Sequence, residues 1–221
     1  MLFVVFNNKV MQKLAIIALK YLEPEWQETQ DCLSKVNYPV FYADRDGVGN
    51  MSRAFNEAFD KYVKGKFEYV WFVTNITFAP DVPDKLLDAL ENCCINAIHP
   101  AMSTSDHLHL RSDCTDSVRI VPFIELTAPM FSTYVLGKFP LCEATPYYYM
   151  DLIISKQIND TDGFVAVHNG AEVHHTYLRN KANKHPISII RERLRNYHTP
   201  LSKAYMVNTY GEDWQTKLWP K

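Results

Sequence analysis

Three short polar stretches, each directly after an apolar run, are the first candidates for binding chemistry. They are Asn7-Asn8, Asp44-Arg45-Asp46-Gly47 and Thr74-Asn75. Their carboxylate, amide and hydroxyl groups exchange hydrogen bonds with polar ligands. In an open parallel sheet a ligand binds beyond the carboxyl ends of the strands, where such loops meet. Surface loops are polar in any case, so each stretch taken alone favours no particular ligand.

The apolar runs predict strands, and the segments between them predict helices. Strands are predicted over residues 2–6, 38–42, 68–73 and 95–98. Apolar residues recur at helical spacing in two sets, and a third helix is predicted over residues 84–92; the sets are Val10, Leu14, Ile17, Tyr21 and Met51, Phe55, Phe59, Tyr62. This β-α-β order predicts an α/β fold, with a mostly parallel central sheet flanked by helices.

The chain changes character after Pro100. Residues 103–117 are rich in Ser, Thr, Asp and His, which predicts a long surface loop, and loops of that length are usually functional or mobile. Beyond it we expect an apolar segment over 118–124, a helix from about Met150, a strand over 164–167 and a helix over 187–197. We expect these elements to form one domain.

Composition excludes several classes of protein. The 221 residues carry a net charge of −2 and are 47% hydrophobic and 22% charged, which is ordinary for a globular protein and excludes disordered, collagen-like and coiled-coil chains. No apolar run reaches the roughly 18 residues of a membrane-spanning helix, and the first run lacks the flanks of a signal peptide. We therefore expect a cytoplasmic protein. The 5 cysteines contain no Cys-x-x-Cys, which predicts reduced thiols.

Four segments occur in a fixed order along nearly the whole chain. They are residues 49–58 (GNMSRAFNEA), 69–81 (YVWFVTNITFAPD), 148–152 (YYMDL) and 170–175 (GAEVHH). In order, they resemble four features of the GT-A glycosyltransferases of the family 2-like group: the N-x-G-x-x-x-A-x-N-x-G/A stretch, the acidic metal motif with its F-x-P-D exit, the acidic motif of the acceptor helix and a late histidine segment. Each pattern is loose, and their order and spacing carry the resemblance.

The resemblance implies a division of the chain. A single GT-A-like domain would span residues 1–221. Residues 1–100 would bind the nucleotide sugar, residues 101–178 would face the acceptor, and residues 179–221 would form a C-terminal helix and tail. The implied donor is a nucleotide-diphosphate sugar, with a UDP-sugar weakly favoured.

The nucleotide would lie in loops that follow the first three predicted strands. The resemblance places Asn7 near the base, Asp44 or Asp46 on the base or ribose, and Arg53 within reach of the diphosphate. It also assigns Thr74 and Asn75 to the nucleotide-sugar site. Residues 44–47 are equally well explained as a tight turn, because Asp and Gly favour turns.

The metal motif departs from the family pattern. It normally ends in an aspartate that ligates Mg²⁺ or Mn²⁺, and the F-x-P-D spacing puts Asn75 at that position. An amide oxygen brings no charge, so the implied metal, held by Asn75 and His174, is weakened or dispensable. In its absence Arg53, Arg179 and Lys181 are candidates to stabilise the diphosphate.

Asp151 is the candidate catalytic base. It is the only acid in residues 145–156 and follows three tyrosines. Desolvation by aromatic rings raises a carboxyl pKa towards values useful for a general base. Asp at a helix N-terminus is equally well explained as a cap. The family motif often has two acids where this chain has one, so which of them Asp151 matches stays open. We place Glu125, Tyr148 and Tyr149 at the acceptor.

The histidines and a basic segment can each be explained by a functional or by a purely structural role. His174 and His175 are neighbours on a predicted strand and face opposite sides, so only one enters the site, and we expect His174. His107 and His109 are interpreted as part of a solvated loop rather than as a metal-binding pair.

Residues 179–195 contain six Lys or Arg and one acid. That charge could steer an anionic partner such as a lipid phosphate at a membrane surface, an acidic glycan or a nucleic acid, or simply form a solvated helix face.

The leading functional prediction is a glycosyltransferase that moves a sugar from a nucleotide diphosphate to a hydroxyl acceptor; the resemblance implies inversion at the anomeric carbon. The alternative is a non-catalytic nucleotide-sugar or glycan binding module, which Asn75 favours. A transferase acting on nucleic acid is a third and weaker hypothesis, because the chain is slightly acidic overall and has no nucleic-acid motif.

Overall fold

The computed structural model describes residues 11–20, 25–43, 50–103, 105, 107–113, 115, 117–146, 148–161, 163–176 and 187–218. For Glu25 and residues 187–195 it describes the backbone alone.

One sheet organises the described residues. Its strands are β1 (Gln12–Leu19), β2 (Val40–Ala43), β3 (Phe67–Val73), β4 (Ile76–Phe78), β5 (Ala97–Met102), β6 (Val118–Ile120), β7 (Met130–Ser132) and β8 (Val165–His175). Their order is β2-β1-β3-β7-β5-β8-β4, with β6 beside β8. β7 lies antiparallel between β3 and β5, so β1, β2, β3, β5 and β8 all point the same way. This confirms the predicted single α/β domain with a mostly parallel sheet.

Helices flank the sheet and pack their apolar faces against it. They are α1 (Glu25–Leu33), α2 (Met51–Ala58, continued by a π-helix over Phe59–Val63), α3 (Val82–Asn92), α4 (Thr133–Lys138), α5 (Met150–Asn159), α6 (Ile187–Tyr210) and α7 (Trp214–Leu218). Asn50 caps α2, since its side chain accepts a hydrogen bond from the backbone N–H of Arg53 at 3.1 Å. Phe55 of that helix stacks on Phe72 of β3 with ring centroids 4.3 Å apart.

The helix predicted from the repeat of Leu14 and Ile17 is wrong, because these residues belong to strand β1. Leu14 to Leu19 are all buried, since β1 lies between β2 and β3 with both faces covered. A continuous apolar run is compatible with a buried strand as well as with a buried helix. The helical spacing of Leu14 and Ile17 therefore does not decide between the two. The strand predicted over residues 2–6 lies outside the described residues.

Most other elements are confirmed with shifted ends. The strand predicted over 164–167 extends to His175, and the helix predicted over 187–197 extends to Tyr210 with Pro200 inside it. The loop 103–117 contains a 3₁₀ turn, Leu108–Leu110, and Leu110 is fully buried. Much of this loop therefore packs on the domain.

A second, smaller core fixes α5 on its outer side. It joins the C-terminal helices to α5 and to the segment before β7, and its buried members are Phe123, Leu152, Ile153, Met206, Trp214 and Leu218. Because α5 packs against both cores, its N-terminus has a defined position. No helix within the described residues is long and apolar enough to cross a membrane.

Candidate active site

The carboxyl ends of β3, β5 and β8 meet at one end of the sheet, which we call the site rim. The backbone N–H of Thr74, just after β3, donates to the carbonyl of Thr127 at 2.9 Å. The N–H of Thr176, just after β8, donates to the carbonyl of Asn75 at 3.0 Å. These bonds bring Thr74, Asn75 and the segment that contains Glu125 together with the end of β8, as the topology requires.

Asn75 is held rigidly at the site rim. Its φ of 37° lies in the left-handed region, which Asn tolerates better than most residues. Its carbonyl also accepts a hydrogen bond from the hydroxyl of Thr176 at 2.7 Å. The side chain is buried, and its Oδ1 has no hydrogen-bond partner among the described residues. An unpaired buried amide oxygen costs about 1–3 kcal/mol, so a ligand that supplies a donor or a cation gains that energy.

Asp151 lies in the first turn of α5, where burial governs its chemistry. Its Oδ1 accepts the N–H of Leu152 at 2.9 Å. Burial raises the pKa of Asp151 to about 6, although hydrogen bonds to backbone N–H groups favour the charged form. Tyr149, which directly precedes α5, has a φ of 73°, and its ring packs edge-on against Trp214 at 4.8 Å.

Two hydrogen bonds fix α5, the helix that carries Asp151, beside the segment that leads to Glu125. The side chain of Asn159 donates to the carbonyl of Pro122 at 3.1 Å, and the hydroxyl of Ser155 accepts the N–H of Ile124 at 3.2 Å. Four helical residues advance about 6 Å, which is close to the advance of two extended residues. Asp151 is one turn before Ser155 on the same face of α5, and this face of the helix therefore lies along the segment that leads to Glu125.

Glu125 belongs to a cluster of histidines and hydroxyls behind the site rim. Its Oε1 lies 3.4 Å from Nε2 of His107 and 3.5 Å from the hydroxyl of Ser105. The hydroxyl of Thr127 lies 3.0 Å from Nε2 of His99, which is fully buried. Burial lowers the pKa of His99 to about 4, so this imidazole is neutral at pH 7.

The two neighbouring histidines of β8 face different surroundings. His174 is exposed, its Nδ1 lies 2.6 Å from the hydroxyl of Ser103, and it lines an outer pocket with Asp81, Lys85 and Glu172. His175 is close enough to His99 to lower its pKa, and burial lowers the pKa of His175 itself to about 4. His175 therefore faces the histidine cluster, and His174 faces the outer pocket.

A scan of the sequence against models of protein families finds no match, and neither does a search of curated proteins. Solved structures do match. A mannosyltransferase from Pyrobaculum calidifontis, solved with GDP-Man and Mn²⁺, is 12% identical with a TM-score of 0.57, over 90% of this chain and 65% of that chain. GalNAc-T7, solved with UDP, GalNAc and Mn²⁺, is 10% identical with a TM-score of 0.56, over 96% of this chain and 59% of the other.

A mutant β1,4-galactosyltransferase 7 from Drosophila, solved with manganese, UDP-Gal and xylobiose, is 8% identical with a TM-score of 0.52, over 74% of this chain and 70% of that one. The chain has the GT-A fold. At these identities the likeness establishes the fold alone. The GT-A domain spans less than two thirds of the length of the mannosyltransferase and of GalNAc-T7.

The GT-A domain does not offer a preformed metal site in its described part. No group of three or more His, Cys, Asp or Glu there could hold a metal ion. Asn75 supplies one neutral oxygen, and His174 is engaged with Ser103 in the outer pocket. The described residues by themselves therefore do not fit a divalent ion, although the GT-A structures above contain manganese.

Several predicted site residues of the GT-A domain are not described. Asn7, Asp44 and Asp46 lie outside the described residues, and so do Arg179 and Lys181. Arg53 is exposed in the first turn of α2, 3.8 Å from the carboxylate of Glu57. The roles given to these residues stay predictions.

Sequence reasoning missed much of the histidine cluster. The sequence predicts no functional role for Ser105, Thr127 or His99. It predicts that His107 lies in a solvated loop. His107 is half-buried and packs edge-on against the ring of Phe123 at 5.1 Å. The histidines in residues 103–117 are the one sequence signal that could have indicated this cluster. No sequence spacing predicts that His107 contacts Glu125.

Proposed function

We propose that this chain transfers a sugar from a nucleotide-diphosphate donor to a hydroxyl acceptor, with inversion at the anomeric carbon. The observation that carries the proposal is the GT-A fold, in which Asn75 lies at the site rim and α5, the helix that carries Asp151, is hydrogen-bonded through Ser155 to the segment before Glu125. Ligands of open α/β sheets bind at this end of the strands, so donor and acceptor would meet there.

The donor would bind with its diphosphate near Asn75. The buried Oδ1 of Asn75, without a partner among the described residues, supports a ligand contact at this point. Because the described residues do not form a metal site, we propose that donor binding does not require Mg²⁺ or Mn²⁺. Hydrogen-bond donors and cationic side chains would then stabilise the charge that develops on the leaving diphosphate, and Arg53 is one candidate.

Asp151 would take the acceptor proton. Its pKa of about 6 leaves it ionised at pH 7 while making it more basic than an ordinary aspartate. In the proposed step a bond forms between the acceptor oxygen and the anomeric carbon, and the bond from that carbon to the diphosphate oxygen breaks. The bonding electrons leave with the nucleotide diphosphate, and the hydroxyl proton moves to Asp151. Tyr148 and Tyr149 would contact the acceptor.

Binding and turnover of sugar nucleotides test the proposal directly. The protein is incubated with UDP-glucose, UDP-galactose, UDP-GlcNAc, UDP-GalNAc and GDP-mannose, with Mn²⁺ or with EDTA. Thermal shift reports binding, because a ligand at 100 times its Kd adds about 2.7 kcal/mol of stability. Release of free nucleotide reports turnover to water or to added sugars. We expect one donor to bind and to turn over in EDTA; the absence of both for every donor would refute the proposal.

A non-catalytic binding module is the second candidate, and the amide at Asn75 favours it. Such a module would bind a sugar nucleotide but release no free nucleotide. In that case Asp151→Asn would leave the affinity for the donor unchanged and would remove no activity. In a transferase the same variant should lower nucleotide release by orders of magnitude while donor binding persists.

A further inference from the structure

Glu125 lies between the two regions that the proposed function assigns to donor and acceptor. On one side of it, the backbone N–H of Ile124 donates a hydrogen bond to the hydroxyl of Ser155 in α5, the helix that carries Asp151. On the other side, the carbonyl of Thr127 accepts a hydrogen bond from the backbone N–H of Thr74 at the end of β3. A residue between these two attachments is next to both regions.

The carboxylate of Glu125 is oriented by donors from the loop after β5. Its side chain is 19% exposed and that of His107 is 26% exposed, so both are accessible in part. Ser105 accepts the backbone N–H of His107 at 3.0 Å and lies 3.5 Å from Oε1 of Glu125. Arg111 holds the carbonyl of Ser105 through two guanidinium bonds at 2.9 and 2.7 Å.

The protonation of His99 indicates which donors serve Glu125. His99 is neutral at pH 7, so only one ring nitrogen carries hydrogen. Its Nδ1 lies 2.5 Å from the carbonyl of Pro100, which can only accept, so Nδ1 carries the hydrogen. Nε2 of His99 then accepts from the hydroxyl of Thr127. The hydroxyl of Thr127, which also lies 3.5 Å from Oε2 of Glu125, therefore donates to His99. Among the described residues of the loop, His107 and Ser105 lie closest to Oε1 of Glu125.

We propose that Glu125 and His107 together bind and orient the acceptor hydroxyl, or a water in its place, that Asp151 deprotonates. This inference rests on the proposed function. Glu125 supplies the second acid that the chain lacks beside Asp151, and it comes from a distant segment. The Glu125 carboxylate accepts a hydrogen bond from a second hydroxyl of the acceptor, or from the second O–H of a water. His107, 3.4 Å from this carboxylate, limits the directions from which the acceptor approaches the anomeric carbon. The proton still moves to Asp151.

Nucleotide release with water as the acceptor tests this role without a known acceptor sugar. The donor is the sugar nucleotide that stabilises the wild-type protein most in the thermal-shift panel. Glu125→Gln, His107→Gln and His107→Ala are compared with the wild type. Glu91→Gln is the matched control, because Glu91 is an exposed carboxylate paired with Lys13 at the opposite end of the sheet.

We expect Glu125→Gln to lower kcat for nucleotide release at least tenfold while the donor KM and the donor-induced thermal shift stay within twofold of the wild type. His107→Ala should lower kcat in the same way, and His107→Gln should recover part of the loss, since an amide can still donate to Glu125. Glu91→Gln should change nothing. A purely structural role would instead change melting temperature and KM together.

Two results overturn the inference. One is a kcat within twofold of the wild type in both Glu125→Gln and His107→Ala; the other is an equal loss of donor binding and kcat. Both leave the proposed function intact, because the wild type still binds and turns over the donor. If the wild type binds no sugar nucleotide at all, the proposed function fails, and this inference fails with it.

Discussion

Replacing Asp151 with Asn should make the protein more stable at neutral pH while it removes activity. A carboxyl that burial desolvates is costly in its ionised form, and that cost is the source of its raised pKa. Asn has the same shape, and its Oδ1 can still accept the N–H of Leu152 that Asp151 accepts at 2.9 Å. The variant therefore removes the charge and keeps the hydrogen bond.

The magnitude follows from the pKa of Asp151, which rises from 3.8 to about 6 on folding. Below pH 3.8 both folded and unfolded chains hold this proton. Between pH 3.8 and 6 only the folded chain holds it, so stability falls as pH rises, by about 1.4 kcal/mol per pH unit. Above pH 6 the full cost is about 3 kcal/mol, and solvent that reaches the half-buried carboxyl reduces it. We expect Asp151→Asn to gain about 1–3 kcal/mol at pH 7.5 and almost nothing at pH 4.

Urea unfolding of both proteins from pH 4 to pH 8 measures this difference. In a chain of this length 1 kcal/mol moves the melting temperature by about 2–4 °C, so thermal melts give an independent reading. Asp160→Asn is the matched control, because Asp160 is exposed at the other end of α5 and pairs with Lys156 at 2.8 Å. An Asp151→Asn protein that is no more stable than the wild type at pH 7.5, or whose gain does not vary with pH, would refute the reasoning.

Three further predictions follow from other parts of the site. Asn75→Asp should cost about 1–3 kcal/mol in EDTA, because it buries an unpaired carboxylate, and Mn²⁺ should restore the loss; thermal melts with and without Mn²⁺ check this. In the Asp151→Asn background, urea unfolding should show stability falling from pH 6.5 to pH 4 with uptake of at least two protons. Burial lowers the pKa values of His99 and His175 to about 4 in the folded state and also lowers that of His109, while the unfolded chain binds protons below 6.5. Asn56→Ala should cost about 1–3 kcal/mol by chemical denaturation, because Asn56 exchanges two hydrogen bonds, at 2.9 and 3.0 Å, with the backbone of Leu141.

The class of fold could be predicted from sequence because most of its signals are local. The helical repeat of Met51 and Phe55 and the proline in the first turn of α3 act within one element. The strand β1 was missed for the opposite reason. A run buried on both faces has no alternation, and only the strands on either side of it decide that it is extended.

The position of Asn75 was readable from the sequence, because it depends on a few residues between the end of β3 and the F-x-P-D exit. The partner of Glu125 was not readable, because His107 reaches it only after β5 and β7 pair in the sheet and the loop after β5 folds back. The orientation of His174 and His175 likewise depends on which face of β8 the rest of the domain covers. Sequence spacing determines which residues share an element, whereas contacts between elements depend on how the sheet is assembled.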